Sequence, residues 1–202
     1  MSADERRNHI LQVAIKLFSL KGFSGTTTRE IAQAVGVSEA VIFKHFATKS
    51  DLYSAILDYK CSEVGLEESF SFLNEVIKSK KDDYEVFFQL VMNALKHHEK
   101  DPEFLRLLML SALEGHEFAE MFFRRKIEPL YEILGNYILQ RQKDGVFRDD
   151  IKPRLIVRAF LGMVTQHSMN KMLWDPKQRL LKVSDEEAAR AFSTILLSGI
   201  KK

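Results

Sequence analysis

Four prolines and nine glycines are all that interrupt 202 residues, so little in this chain resists long helices. The signals that start such helices recur. Ser2 and Glu5 have the Ser-x-x-Glu spacing in which hydroxyl and carboxylate each satisfy the other residue's backbone N–H, and Thr27–Glu30 and Ser184–Glu187 repeat it. Behind each signal apolar residues fall at helical spacing: Ile10, Val13, Ala14, Leu17 and Phe18 in the first, and Ala188, Ala191, Phe192, Ile195, Leu196 and Ile200 in the last. The expected fold is all-α with about nine helices, and no segment alternates convincingly enough to be a strand.

The stops are as local as the starts. Gly22 ends the first helix and Gly36 the second, Ser38 opens a third, and Thr48 with Asp51 opens a fourth lined by Leu52, Ala55, Ile56 and Tyr59. Lys78 to Asp83 reads as a charged linker, after which Tyr84, Phe87, Phe88, Val91, Leu95 and His98 share one face. Asp101-Pro102-Glu103 reads as the opening of a helix that Gly115 ends. Pro129 is a kink or a restart within the next long stretch, which closes at Asp144-Gly145. Pro153 opens a strongly apolar helix to about Met172, and Asp175-Pro176 is a further start signal.

Hydrophobic residues make up 46% and charged residues 29%, with a net charge of +2. That balance belongs to an ordinary soluble protein and proves no nucleic-acid partner. A small basic bias does sit at one end, where Lys16, Lys21, Arg29, Lys44 and Lys49 face Glu30 and Glu39. Cys61 is the only cysteine, which excludes an internal disulfide and a multi-cysteine zinc site, and it reads as a plain helix residue. The N-terminus lacks a signal peptide's apolar core, and no apolar run reaches the ~20 residues of a membrane span. The expectation is a soluble cytoplasmic protein with no cofactor, no metal and no membrane partner.

Residues 28–46 have the arithmetic of two short helices crossing closely. Ala32 is small where they touch, and Gly36 supplies the positive φ the turn needs. With Ile31, Val35, Val37 and Ile42 turned inward, Glu39, Ala40, Phe43, Lys44 and His45 project from the second helix, which fits a major groove. A plain helical hairpin has the same ingredients, so spacing alone leaves both readings open. An enzyme finds less support: no Gly-rich phosphate loop, nucleophile elbow or metal motif is present, and Ser111 and Asp149 lack identifiable partners.

Residues 10–59 closely resemble the TetR-family DNA-binding domain. The likeness rests on Ala14-Ile15-Lys16-Leu17-Phe18, Lys21-Gly22-Phe23, Thr26-Thr27-Thr28-Arg29-Glu30-Ile31-Ala32, Gly36-Val37-Ser38, Ile42-Phe43-Lys44-His45-Phe46 and Lys49-Ser50-Asp51-Leu52. It implies a helix-turn-helix domain over residues 1–48 and an effector-binding and dimerisation domain over 49–202. It further implies a regulator, in most cases a repressor, bound to double-stranded operator DNA as a homodimer. Thr27, Thr28, Phe43, His45 and Lys49 would grip the phosphate backbone, Ala40 and Lys44 would read bases, and Ser38 would join the DNA face. Glu39 departs from the small or basic residue many relatives carry. It is expected to point at solvent, the alternative being a hydrogen bond from a cytosine amino group.

Beyond residue 60 the likeness thins to architecture and one pattern, Asp144-Gly145-Val146-Phe147-Arg148, Asp150 and Pro153, similar to the loop before the family's eighth helix. The family pairs its last two long helices across a twofold axis. Residues 155–173 fit by carrying apolar residues on more than one face, among them Leu155, Ala159, Phe160 and Gly162; a central core helix would look much the same. Phe88, Phe118 and Phe122 belong to an aromatic excess that in this family often lines a cavity for a small apolar effector, although core packing accounts for most such residues. Asn93, His97 and Gln166, followed by His116 and His167, are the polar candidates for that cavity. An effector between the helices bearing Phe88, Phe118, Phe122 and Gln166 would push the fourth helix and change the spacing of the two DNA-binding heads.

Overall fold

The computed structural model describes residues 2–63, 66–79 and 82–202, with backbone alone for 61–63 and 66–70. The Cys61 side chain, Gly65, and Lys80 and Lys81 of the anticipated linker therefore lie outside the described residues. Among the described residues eleven α-helices follow one another: α1 Ala3–Lys21, α2 Thr28–Val35, α3 Glu39–His45, α4 Lys49–Glu63, α5 Leu66–Lys78, α6 Asp83–Lys100, α7 Pro102–Leu113, α8 Glu117–Phe122, α9 Glu128–Lys143, α10 Pro153–Met169 and α11 Asp185–Ile200. Among the described residues an isolated antiparallel bridge between Phe147 and Lys201 stands in place of any strand, and no helix is long and apolar enough to cross a membrane. The all-α expectation holds, and the count is close to the nine foreseen.

Capping explains most boundaries. Ser2, Thr27 and Ser184 each accept the N–H of the glutamate three residues on, and that glutamate returns a carboxylate to the cap N–H. Pro129 proves to be a restart: the stretch breaks into α8, a π-helical turn at Phe123–Ile127 and α9, in whose first turn the missing proline N–H costs nothing. A second π turn, Asn170–Trp174, extends α10.

Two expectations are corrected. Asp175-Pro176 opens no helix, because the Asp175 carboxylate accepts the N–H groups of Arg179 (2.9 Å) and Leu180 (2.8 Å) and closes a turn. Asp83 is not part of a linker: Asp82 is the cap of α6, and Asp83 is buried within the first turn.

The chain forms two compact units, Met1–Glu68 with Pro102–Lys126, and Ser69–Asp101 with Ile127–Lys202. In the first, α1 packs against α2, α4 and α7, and Tyr53 meets Phe18 edge to face and Phe118 at a tilt in its core, with ring centroids 4.7 and 4.8 Å apart. Leu11 and Ile15 are buried there as well, alongside the Ile10–Ala14–Phe18 stripe. In the second unit α6 packs against α10 and α11, and Phe87 meets Phe160 edge to face at 5.2 Å. Asp83 is enclosed there by Arg141, which donates from Nε and an Nη at 2.8 Å each, and by the Tyr137 hydroxyl at 2.5 Å. Gln142 donates to the carbonyls of Arg148 and Ile151, both at 2.8 Å, and Phe147 is buried; together they set the loop of residues 144–152.

Candidate nucleic-acid interface

The segment from α2 to the start of α4 is built almost wholly from local bonds. Thr27 Oγ1 accepts the Glu30 N–H at 3.1 Å and the Thr27 N–H reaches Glu30 Oε2 at 2.9 Å. Lys21 lies 2.7 Å from the other Glu30 oxygen, and these bonds, Lys21 first, hold the Glu30 carboxyl down at about 2. Gly36 then takes φ +80°, ψ +33°, and its N–H and that of Val37 both return to the Ala32 carbonyl at 3.0 Å. This left-handed stop turns the chain between α2 and α3. Ser38 occupies the cap of α3 without a side-chain cap bond, and Ile42 and Phe46 anchor that helix in the core.

With those two residues inward, α3 turns Ala40, Phe43 and Lys44 to solvent, Phe43 to 45%, and leaves His45 half-buried. At the start of α4, Thr48 and Asp51 form a reciprocal cap (2.9 and 3.0 Å). The Lys49 amine sits 4.1 Å from the centre of the Phe23 ring. Partial burial pulls Lys49 below the usual lysine range, against the opposing pull of Glu114 and Glu30. The eight anticipated DNA-facing residues, Thr27, Thr28, Ser38, Ala40, Phe43, Lys44, His45 and Lys49, thus come from three consecutive short segments, and each is at least partly exposed.

Two features of this region escaped the sequence. Thr28 donates its hydroxyl to Glu39 Oε2 at 2.7 Å, so half-buried Glu39 does not stand free in solvent but ties the starts of α2 and α3 together. Glu114, at the end of α7, accepts the N–H groups of Phe23 (2.9 Å) and Ser24 (3.3 Å) and so props the loop behind Lys49.

The anticipated effector residues fall in both units. Phe118, fully buried, and Phe122 pack with the first core, while Phe88, Asn93 and His97 lie on α6 and Gln166 on α10 of the second unit. His97 donates Nδ1–H to the Asn93 carbonyl at 2.7 Å, and Gln166 is exposed. His116 is instead the cap of α8, its Nδ1 accepting the Phe118 N–H at 3.2 Å, and burial lowers its pKa. His167 turns its ring edge to Phe192. In the second unit a void of about 10 Å³, the size of one water, is lined by Leu95, His98, Glu99, Ser168, Lys171, Met172 and Asp185.

Comparison with known proteins agrees with this geometry. The family described as bacterial regulatory proteins, tetR family, matches residues 10–56, and that described as Tetracyclin repressor-like, C-terminal domain, matches residues 85–190, more than half the chain. The chain belongs to the TetR family. That family is one of transcriptional regulators.

Among its TetR-family relatives, the HTH-type transcriptional regulator AcrR of Shigella flexneri is 49% identical over 63 residues, 31% of this chain and 29% of that protein. The nucleoid occlusion factor SlmA of Vibrio campbellii is 28% identical over 174 residues, 83% of this chain and 84% of that one. The chain spans well under half the length of several of the relatives it matches, 29% and 37% in two of them. In fold the chain is similar to AibR, solved with isovaleryl coenzyme A and operator DNA, with a TM-score of 0.69, 21% identity, and coverage of 95% and 98% of the two chains.

Proposed function

We propose that this TetR-family regulator is a cytoplasmic repressor that binds operator DNA as a homodimer and leaves it when a small apolar effector binds. Residues 1–48 serve as the DNA-binding head and 49–202 as the effector-binding and dimerisation region. The observation that carries the reading is the face of α3: Ile42 and Phe46 fix the helix from inside, and Ala40, Phe43 and Lys44 are left free outside. Thr27 and Thr28 open α2 with backbone N–H groups that suit a phosphate, and Lys49 adds a cation at the start of α4. Phe43, His45 and Ser38 flank these contacts.

Dimerisation is supported by apolar surface left bare on the last two long helices. Leu155 is 57% and Ile195 61% exposed, with Ala159, Gly162, Ala191 and Gly199 also at the surface. Small residues there permit close helix approach. A Cβ added at Gly162 meets nothing within 4 Å, so Gly162→Glu is expected to leave the subunit folded and shift it to monomer in sedimentation, with operator affinity lost alongside. A Gly162→Glu protein that stays dimeric places the interface elsewhere.

The effector reading draws on AibR, whose structure holds an acyl thioester together with operator DNA. Of the residues expected to line the cavity, Phe88, Asn93, His97 and Gln166 belong to the second unit and are its candidate lining, while Phe118 and Phe122 belong to the core of the first. Short- and long-chain acyl-CoA esters are the first probes: an active one must weaken operator binding, and operator must weaken its binding by the same factor. The length of SlmA's likeness supports a second reading, a DNA-bound factor that needs no effector. A probe series without effect on DNA affinity favours it.

The DNA contacts themselves are tested by a contrast. Lys49→Ala is expected to weaken specific and random DNA alike and to make the salt slope shallower by ~1. Lys44→Ala is expected to cost roughly 1–3 kcal/mol at one or two base positions and relax discrimination there. Identical behaviour of the two variants contradicts the division between phosphate grip and base reading.

A further inference from the structure

Glu39 is a carboxylate in an awkward place. It occupies the first turn of α3, beside the face that the proposed function gives to DNA, and DNA presents only negative charge at its backbone. The structure also holds it there. Thr28 Oγ1 donates to Glu39 Oε2 at 2.7 Å, across eleven residues of sequence and from the first position of α2. The bond has two consequences. It keeps the carboxylate from swinging away into solvent, and it uses the single hydrogen of the Thr28 hydroxyl, so that hydroxyl keeps only acceptor capacity toward a phosphate. Any phosphate seated on the backbone N–H groups at the start of α2 then lies beside an acceptor-only oxygen and a fixed negative charge. Among the described residues no ion pair of Glu39 relieves that charge, whereas Glu30 in α2 has Lys21 at 2.7 Å.

We propose that the Thr28–Glu39 pair is a specificity-determining element, in which a tethered carboxylate weakens attachment to DNA in general and leaves tight binding to sites where α3 gains base contacts. This rests on the reading of α2 and α3 as the DNA face. Electrostatic repulsion of this kind acts on every duplex, since every duplex has phosphates at the same places. Base contacts act on a few. A term common to every duplex cancels in the ratio of specific to random binding. The ratio rises because a site that offers Glu39 a base donor, such as a cytosine amino group, offsets the repulsion there and not elsewhere. That ratio decides occupancy in a genome full of competing sites.

The two halves of the pair can be separated. Glu39→Gln removes the charge and keeps an oxygen that accepts from Thr28. Thr28→Val removes the bond and keeps the charge. Affinities of both variants, of Lys49→Ala and of the unmodified protein are measured against a random-sequence duplex and against an operator enriched from a random library by the unmodified protein, each over a range of salt. Glu39→Gln is expected to bind the random duplex roughly fivefold more tightly at low salt, the scale of one screened unit charge at near-contact distance, and the operator by less, so the specificity ratio falls. Thr28→Val frees the carboxylate to swing into solvent but also removes a hydroxyl from the phosphate grip, so any gain on random DNA is expected to be smaller than that of Glu39→Gln. If Glu39→Gln leaves random-duplex affinity unchanged or lowers it, the pair is merely a brace between helices and the inference is wrong. If Lys49→Ala also changes nothing, or the unmodified protein binds no duplex, the DNA face itself has been misplaced, a distinct outcome.

Discussion

Asp83→Ala is expected to destabilise the protein by about 3 kcal/mol, the lower end of the ~3–5 kcal/mol that follows removal of one member of a buried ion pair. Asp83 is 5% exposed and receives three donors, two from Arg141 and one from Tyr137. Deleting it strands the guanidinium and the phenol together. The lower end is the right one because the Arg141 side chain keeps 30% of its exposure, and water can recover part of its charge. Denaturant unfolding should show the loss as a lower midpoint with an unchanged slope. Asp83→Asn should lie between the two, since an amide oxygen still accepts while the pair's charge is gone. A change under about 1 kcal/mol in Asp83→Ala would mean the triad contributes registry rather than stability.

The same triad has a pH signature. Burial pushes the Asp83 carboxyl up, but the Arg141 and Tyr137 hydrogen bonds outweigh it and hold it below the usual aspartate value of 3.8. The folded state therefore binds its proton more weakly than the unfolded chain does. Its contribution is present in full above the unfolded value near 3.8 and is lost as pH falls through the depressed folded value. Acid unfolding of the unmodified protein should thus have a component below about pH 4 that Asp83→Asn lacks.

What could be read without coordinates was what depends on neighbours in sequence. Three capping boxes, the stops at Gly22 and Gly36, and the Thr48–Asp51 cap involve partners no more than four residues apart, and each formed as spaced. The buried stripe of α1 and the inward Ile42 and Phe46 followed from helical periodicity. Apart from the local turn at Asp175, the misses have a common origin. Asp82 and Asp83 are the same residue type side by side, and which one caps α6 was decided by Arg141 and Tyr137, more than fifty residues away. The Thr28–Glu39 bond depends on how α2 crosses α3, and the Glu114 bonds to Phe23 and Ser24 on how α7 lies along α1. Ala191 and Ile195 belong to the apolar pattern of α11 yet face outward. Periodicity counts apolar residues without saying whether the surface that covers them belongs to the same chain.

Gly36→Val should abolish operator binding while leaving helix content almost unchanged. Gly36 has φ +80°, where an L-residue with a Cβ costs about 1–2 kcal/mol and a β-branched one more. No atom lies within 4 Å of an added Cβ at this position, so the penalty comes from the backbone alone and cannot be relieved by repacking a neighbour. The chain can escape it only by moving the turn. The turn is what aims α3, because the N–H groups of Gly36 and Val37 both close on the Ala32 carbonyl. Holding the binding geometry against a strain of about 1–3 kcal/mol lowers affinity roughly 5- to 150-fold per head. In the proposed dimer both heads meet that penalty. Asparagine tolerates the left-handed region far better than valine, so Gly36→Asn is expected to retain binding within roughly tenfold of the unmodified protein. The comparison is decisive in both directions. Tight operator binding by Gly36→Val would show that this turn does not set the direction of α3, and equal loss in both variants would point to a steric demand that the open space around Gly36 does not contain.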